Sequence, residues 1–152
     1  AQMPSLRLET HDVSYLSNRA IALYSDRGVQ FLSDGPVYAS VDKEQWSRII
    51  HNLVKNALQS VPEDRQPEIV VRVQRTPEKG VISVTDNGTG IPDEMKERVF
   101  EPNFTTKSSG MGLGLAMVCN LIQNFGGTID FENKGQGAAF TITIPIQQNN
   151  RS

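Results

Sequence analysis

Residues 42–61 constrain the chain most, because they read as one long helix with two unlike faces. Asp42 stands at the N-cap position and Gln45 follows three residues later, the spacing of a capping box in which the glutamine returns a bond to the cap. Turned at about 100° per residue, Trp46, Ile49, Ile50, Leu53, Val54, Ala57, Leu58 and Val61 fall on one broad arc, which is the core face. On the opposite side Asn52, Asn56 and Gln59 share a narrow stripe. A face meant only for water more usually carries Lys and Glu. Carboxamides offer neutral oxygens to a hard cation and N–H donors to phosphate, although a merely polar helix face is the other reading of the same stripe.

Past a break at residues 62–67, two alternating runs at residues 69–73 and 81–85 read as strands across a turn at 77–80. The second run delivers Asp86 directly into Asn87-Gly88-Thr89-Gly90-Ile91-Pro92. Its two glycines let the backbone approach a flat or anionic partner, and Pro92 ends the turn. Judged on these residues alone, the segment is equally an ordinary loop. After a short helix reaching residue 99, residues 100–109 look irregular, carry hydroxyls and Lys107, and read as a lid. Gly110, Met111, Gly112, Leu113, Gly114 and Leu115 then run straight into a helix marked by Met117, Val118, Leu121, Ile122 and Phe125. Glycines at a helix start leave unpaired N–H groups facing outward, where the helix dipole favours an anion.

Elsewhere, residues 1–10 read as a linker and residues 13–24 as a helix. Residues 29–32 and 37–39 read as a hairpin around the turn at 33–36. Gly126 and Gly127 stop the last helix, residues 128–132 and 139–146 supply two final strands, and 147–152 form a frayed tail. The 152 residues suit one domain. With 15 basic and 17 acidic side chains the net charge is −2, which speaks against nucleic acid or an anionic membrane as a partner. Cys119 has apolar helical neighbours and reads as a core residue rather than a nucleophile. No apolar run approaches membrane-spanning length, and the start at Ala1 is read as that of an excised fragment.

A strand-end carboxylate, a carboxamide stripe and a glycine-rich helix start together suit one nucleotide. Asp86 could accept from an exocyclic amine such as that of adenine, Asn56 could give an oxygen to Mg²⁺, and the glycine nest could hold phosphates. Residues 110–115 read G-x-G-x-G after a lid, so neither the G-x-G-x-x-G dinucleotide pattern nor a P-loop is present.

In this order the motifs resemble the four boxes of sensor histidine kinases. Asn52-Leu53-Val54-Lys55-Asn56-Ala57 is similar to the N box, residues 86–92 to the first glycine box, 100–107 to the F box and 110–115 to the second glycine box. The resemblance covers about residues 10–146 and looks closest to the nitrogen-regulatory branch. It implies an α+β, Bergerat-type fold: a two-layer sandwich whose mixed, mainly antiparallel sheet is covered by helices, with ATP and Mg²⁺ as ligands. Carried over by residue, it implies Asn56 as the Mg²⁺ ligand, Asn52 as a metal or phosphate contact, and Asp86 as the adenine reader. Gly88, Gly90 and Ile91 would shape the base pocket. Gly110, Gly112 and Gly114, with Met111, Leu113 and Leu115 between and after them, would form the phosphate-facing lid hinge. Lys107 and Thr105 or Thr106 would contact phosphate, and Phe100 and Phe104 would pack the lid. Departures from the family pattern are Gln59, where many members carry a basic residue, Asn103 for an aromatic, Met111 for a threonine, and Ala138 and Ala139 before Phe140 where a hydroxyl is common.

ATPases of the same superfamily place a glutamate four residues before the metal-binding asparagine to activate water. Here that residue is Asn52, which cannot take a proton, so transfer to another nucleophile is favoured. The resemblance implies a histidine on a separate dimerisation domain as that nucleophile. His11 lacks the surroundings of an acceptor box and reads as a helix-start residue, and His51 reads as peripheral. The expected partners are therefore the protein's own upstream helical domain and a downstream response regulator. The expected setting is cytoplasmic, with the isolated 11–146 domain monomeric and unable to phosphorylate itself. Two alternatives stay open: a nucleotide-binding regulatory pseudokinase module, and an anti-sigma-type serine kinase.

Overall fold

The computed structural model describes residues 5–101 and 111–147. Strand β1 (Glu9–Asp12) leads into helix α1 (Val13–Ile21), continued by a 3-10 turn, Ala22–Tyr24. Strands β2 (Val29–Ser33) and β3 (Tyr38–Val41) precede the long helix α2 (Lys43–Ser60). Strands β4 (Ile69–Arg75) and β5 (Lys79–Asp86) follow, then a 3-10 segment, Asp93–Arg98. Helix α3 (Met111–Asn124) and strands β6 (Thr128–Lys134) and β7 (Gly137–Pro145) complete the described elements.

Five strands form one sheet in the order β2-β4-β5-β7-β6, while β1 and β3 pair separately. Among the described residues the β2–β4 pair is parallel and the other pairs in the sheet are antiparallel. Alternation decides which face is covered: Val71, Val73, Ile82, Val84, Ile142 and Ile144 are buried, and the residues between them, such as Arg72 and Gln74, are not. Helices α2 and α3 pack together over that apolar face, which makes the two-layer mixed sandwich expected from the resemblance. Trp46, Ile49, Ile50, Leu53 and Val54 are fully buried, so the long helix turns its predicted arc inward.

Local chemistry explains where α2 begins. Asp42 Oδ1 accepts the N–H groups of Glu44 and Gln45, each at 3.0 Å, and Oδ2 accepts Arg7 N–H at 2.9 Å. Burial would raise the Asp42 pKa, but these three donors outweigh it and hold the carboxyl below its ordinary value. The reciprocal half of the expected capping box is not formed: Gln45 Oε1 is buried and has no hydrogen-bond partner among the described residues.

The hairpin expected from residues 29–32 and 37–39 is not present. Strand β2 runs parallel to β4, with Val29 opposite Ile69, while β3 pairs with β1, His11 opposite Ala39. Asp12 causes the split: its Oδ1 caps α1 through Ser14 N–H and also accepts Val37 N–H, both at 3.0 Å, which pulls the chain after the turn away from β2. His11 consequently lies in β1, and Asp12 is the helix cap.

Candidate nucleotide site

A concave site opens between the end of α2, the loop after β5 and the inner face of β6 and β7. Asn56, Gln59 and Ser60 line it from the helix, and Asp86, Thr89, Gly90 and Ile91 from the loop. Its apolar floor comes from Phe131, Ala138 and Phe140. The rings of Phe131 and Phe140 lie 5.0 Å apart, and Phe100 meets Phe140 edge-on at 5.9 Å. A carboxylate and amides around an otherwise apolar slot suit a flat heteroaromatic group carrying an amine.

Asp86 is the last residue of β5 and stands opposite Ala138 of β7. Burial raises its pKa, against the opposing pull of the Gly88 N–H, the Ser60 hydroxyl and the Ala138 N–H. The Gly88 contact is short, 2.7 Å to Oδ1, and folds the loop back over the carboxylate. Arg65 reaches in from the α2–β4 connection and donates to the carbonyls of Asn87 and Gly88.

Asn56 sits at the other end, on α2. It is 7% exposed, and among the described residues its Nδ2 has no hydrogen-bond partner. A buried, unspent amide costs free energy unless something fills the space beside it, so this group is available to a ligand. Half a turn about its last torsion presents the oxygen instead, which suits a hard divalent cation. One turn earlier, Asn52 donates Nδ2–H to Arg48 O at 2.9 Å, and its Oδ1 has no partner among the described residues. That oxygen faces the start of α3, because a Cβ placed on Gly114 would come within 2.7 Å of it. The carboxamides therefore run from the slot to the N-terminal turn of a 14-residue helix, whose first N–H groups have no partner within the helix. ATP and Mg²⁺ fit this donor set: an aromatic slot with a carboxylate, then neutral oxygens, then a helix N-terminus.

The structure brings Asn56, Gln59, Asp86, Gly90 and Ile91 to one cavity. Asn52 lies outside its lining, toward Gly114, and Gly88 acts through its bond to Asp86. Leu115 is fully buried in the core. Met111, Gly112 and Leu113 open α3, whereas Thr105, Thr106, Lys107 and Gly110, with Asn103 and Phe104, lie outside the described residues. Ser60, Thr89, Phe131 and Phe140 line the cavity without having been singled out for it in sequence. The two phenylalanines do carry a sequence signal, since both lie on inward-facing strand positions, Phe140 opposite Val84 of β5 and Phe131 opposite Phe140. His51 is not among the residues lining the cavity and meets Tyr24 Oη through Nδ1 at 3.1 Å. Burial raises the pKa of the Cys119 thiol, which makes it a poor nucleophile.

Residues 41–148 match the family described as histidine kinase-, DNA gyrase B- and HSP90-like ATPase, and the chain belongs to that family. Within it, the chain is an ATP-binding catalytic domain homologous to those of sensor histidine kinases. It is 34% identical over 119 residues to Sporulation kinase D of Bacillus subtilis (strain 168), covering 78% of this chain and 23% of that protein. Identity to Sensor histidine kinase ZraS of Escherichia coli O157:H7 is 34% over 149 residues, covering 93% of this chain and 32% of that protein. Nitrogen regulation protein NtrY of Azorhizobium caulinodans is 33% identical over 158 residues, 97% of this chain and 20% of its own length. The chain thus spans between 20% and 32% of the length of these relatives. Among solved structures, the nucleotide-free catalytic domain of histidine kinase ThkA superposes with a TM-score of 0.82 at 28% identity, covering 92% of this chain and 96% of that one. The mycobacterial sensor histidine kinase MprB gives a TM-score of 0.80 at 26% identity over 93% of this chain and 99% of that one.

Proposed function

We propose that this chain is the catalytic part of a sensor histidine kinase, which binds Mg-ATP and passes the γ-phosphoryl group to an imidazole on a separate helical dimerisation domain of its own protein. The observation that carries the reading is Asn52, a carboxamide turned toward the start of α3 one helical turn before the buried Asn56. No proton can be taken there, so that side chain does not activate water, and the nucleophile comes from outside the domain.

Placement of the described residues supports the following roles. Asp86 accepts a hydrogen bond from the exocyclic amine of adenine, and Ile91, Phe131 and Phe140 keep water off the base. Asn56 and Asn52 would give oxygens to the divalent ion, and the α3 N-terminus would receive phosphate oxygens; the family resemblance adds Thr105, Thr106 and Lys107 as phosphate contacts. Mg²⁺, when bound, neutralises charge on the phosphoryl oxygens. In the transfer, the bond from γ-phosphorus to the β–γ bridging oxygen breaks, a bond to the imidazole nitrogen forms, and ADP leaves. This domain contributes alignment and fixed dipoles. Residues 11–146 are the catalytic unit in this reading, working on the cytoplasmic side, with 1–10 leading from the dimerisation domain and 147–152 a tail. A response regulator is the next acceptor; a complex of ThkA with the response regulator TrrA supports that step.

Titration with an ATP analogue, with and without Mg²⁺, tests the site. Asp86→Ala is expected to abolish nucleotide binding and Asn56→Ala to abolish the effect of Mg²⁺; unchanged binding in both variants overturns the assignment. Radiolabelled ATP added to the chain alone is expected to leave no stable phosphate, and to label a histidine once the upstream helical domain is supplied. Binding without transfer in that mixture supports a regulatory module instead.

A further inference from the structure

The loop that carries Asp86 is gripped from β6 by a residue that no box motif contains. Asn133 Oδ1 accepts the Ile91 N–H at 3.0 Å, and Nδ2 donates to the Ile91 carbonyl at 2.6 Å and to Asp93 Oδ1 at 3.3 Å. One carboxamide thus exchanges both bonds with one backbone residue, as a neighbouring strand would. The grip spans 42 residues of sequence. It also sets the conformation before it: Gly90 has φ 74°, and a Cβ there would stand 2.6 Å from Asn133 Oδ1.

Sheet register gives this contact its meaning. Asp86 stands opposite Ala138, and Ala138 stands opposite Asn133, so the three form one row across β5, β7 and β6. The row holds both ends of the loop, Asp86 through its own strand and Ile91 through the Asn133 carboxamide. Gly90 and Ile91 line the slot, so their distance from the Asp86 carboxylate fixes its width.

We propose that Asn133 is a positioning residue that sets the affinity and base selectivity of the slot by clamping Ile91 at a fixed distance from Asp86. The inference rests on the nucleotide reading above and adds a residue to it. With the clamp gone, the loop keeps the Arg65 bonds near Asp86 but is no longer held at Ile91, and the slot accepts bases of other outline.

Three measurements on wild type, Asn133→Ala and the shape-preserving Asn133→Asp test this. Amide exchange at Ile91 is expected to speed up in Asn133→Ala with or without nucleotide. The Kd for the ATP analogue is expected to rise roughly tenfold in both variants, the scale of removing one well-placed hydrogen bond, and the preference over the guanine analogue to shrink. A purely structural role lowers Tm and leaves the adenine-to-guanine ratio where it was. If Asn133→Ala fails to fold, Asn133→Asp decides, because it keeps the shape and the acceptor for Ile91 N–H while replacing the donor with a charged oxygen that repels the Ile91 carbonyl and Asp93. Wild-type selectivity retained in the folded variants, or unchanged Ile91 exchange, overturns the clamp. Wild type that binds no nucleotide overturns the site reading itself, whatever the exchange data show.

Discussion

The carbonyl of Ser60, the last residue of α2, accepts a hydrogen bond from the backbone N–H of Thr89 at 3.1 Å. This bond ties the helix that carries Asn56 to the loop that carries Asp86. The spacing of the two ends of the site is therefore held by a backbone hydrogen bond of the fold itself.

Asp86 is held in the folded state at a cost, so removing its charge separates stability from function. Its raised pKa means that the native state binds the proton more tightly than the unfolded chain. Its contribution is favourable below the unfolded carboxylate value and is lost as pH rises through the folded one. Asp86→Asn is expected to raise Tm at neutral pH and to abolish nucleotide binding. Melts repeated near about pH 4 should show the gap from wild type closing. A Tm gain that persists in acid contradicts the argument.

Gly114→Ala should move stability and activity in opposite directions. Alanine suits a helix better than glycine by about 1 kcal/mol. The added methyl group meets only the movable end of Asn52, so the carboxamide shifts and the fold does not. Urea unfolding is expected to show equal or greater stability, while isothermal titration shows a weaker Mg²⁺-dependent component of binding.

Asp42 works as a helix cap and as an acid-sensitive tie to the N-terminal segment. Asp42→Ala is expected to cost about 1–2 kcal/mol in urea unfolding. The lowered pKa puts its stabilisation above the unfolded carboxylate value, with loss as pH falls through the folded one. Asp42→Asn, which keeps an acceptor for Glu44 and Gln45, should retain most of the stability at neutral pH and show a flatter acid limb.

Trp46 and Ser17 are both fully buried, and Trp46 Nε1–H donates to Ser17 Oγ at 2.9 Å. Ser17→Ala strands the indole donor and is expected to cost about 1–3 kcal/mol. Adding Trp46→Phe removes that donor, so the double variant should be less destabilised than the sum of the single ones. A strictly additive cycle would show that the bond contributes nothing specific.

The helices and the sheet's alternating face were legible because burial writes itself into periodicity: Trp46 to Ala57 in one register, Val71 to Ile82 in another. Strand partners were not. Residues 29–33 and 38–41 are short and joined by a turn-like segment, so a hairpin is the local reading, yet Asp12 captures Val37 from 25 residues away. The β1 residues Glu9–Asp12 lack an apolar alternation and become a strand only because β3 lies beside them. At the site, Asp86 and Asn56 stood out as polar groups where polar groups are unusual. Ser60 and Asn133 act through backbone contacts made across the fold, which leave no pattern along the chain.

Strand β6 ends the sheet, with no further strand beyond it among the described residues. An open edge is a template on which a second copy can add a strand. Along β6, exposed Thr128, Asp130, Glu132 and Lys134 alternate with the inward Ile129, Phe131 and Asn133. Charge of both signs on that ribbon makes a docked duplicate give up hydration for mismatched neighbours. The strand that lines the Asp86 cavity with Phe131 on one face thus presents alternating charge to solvent on the other.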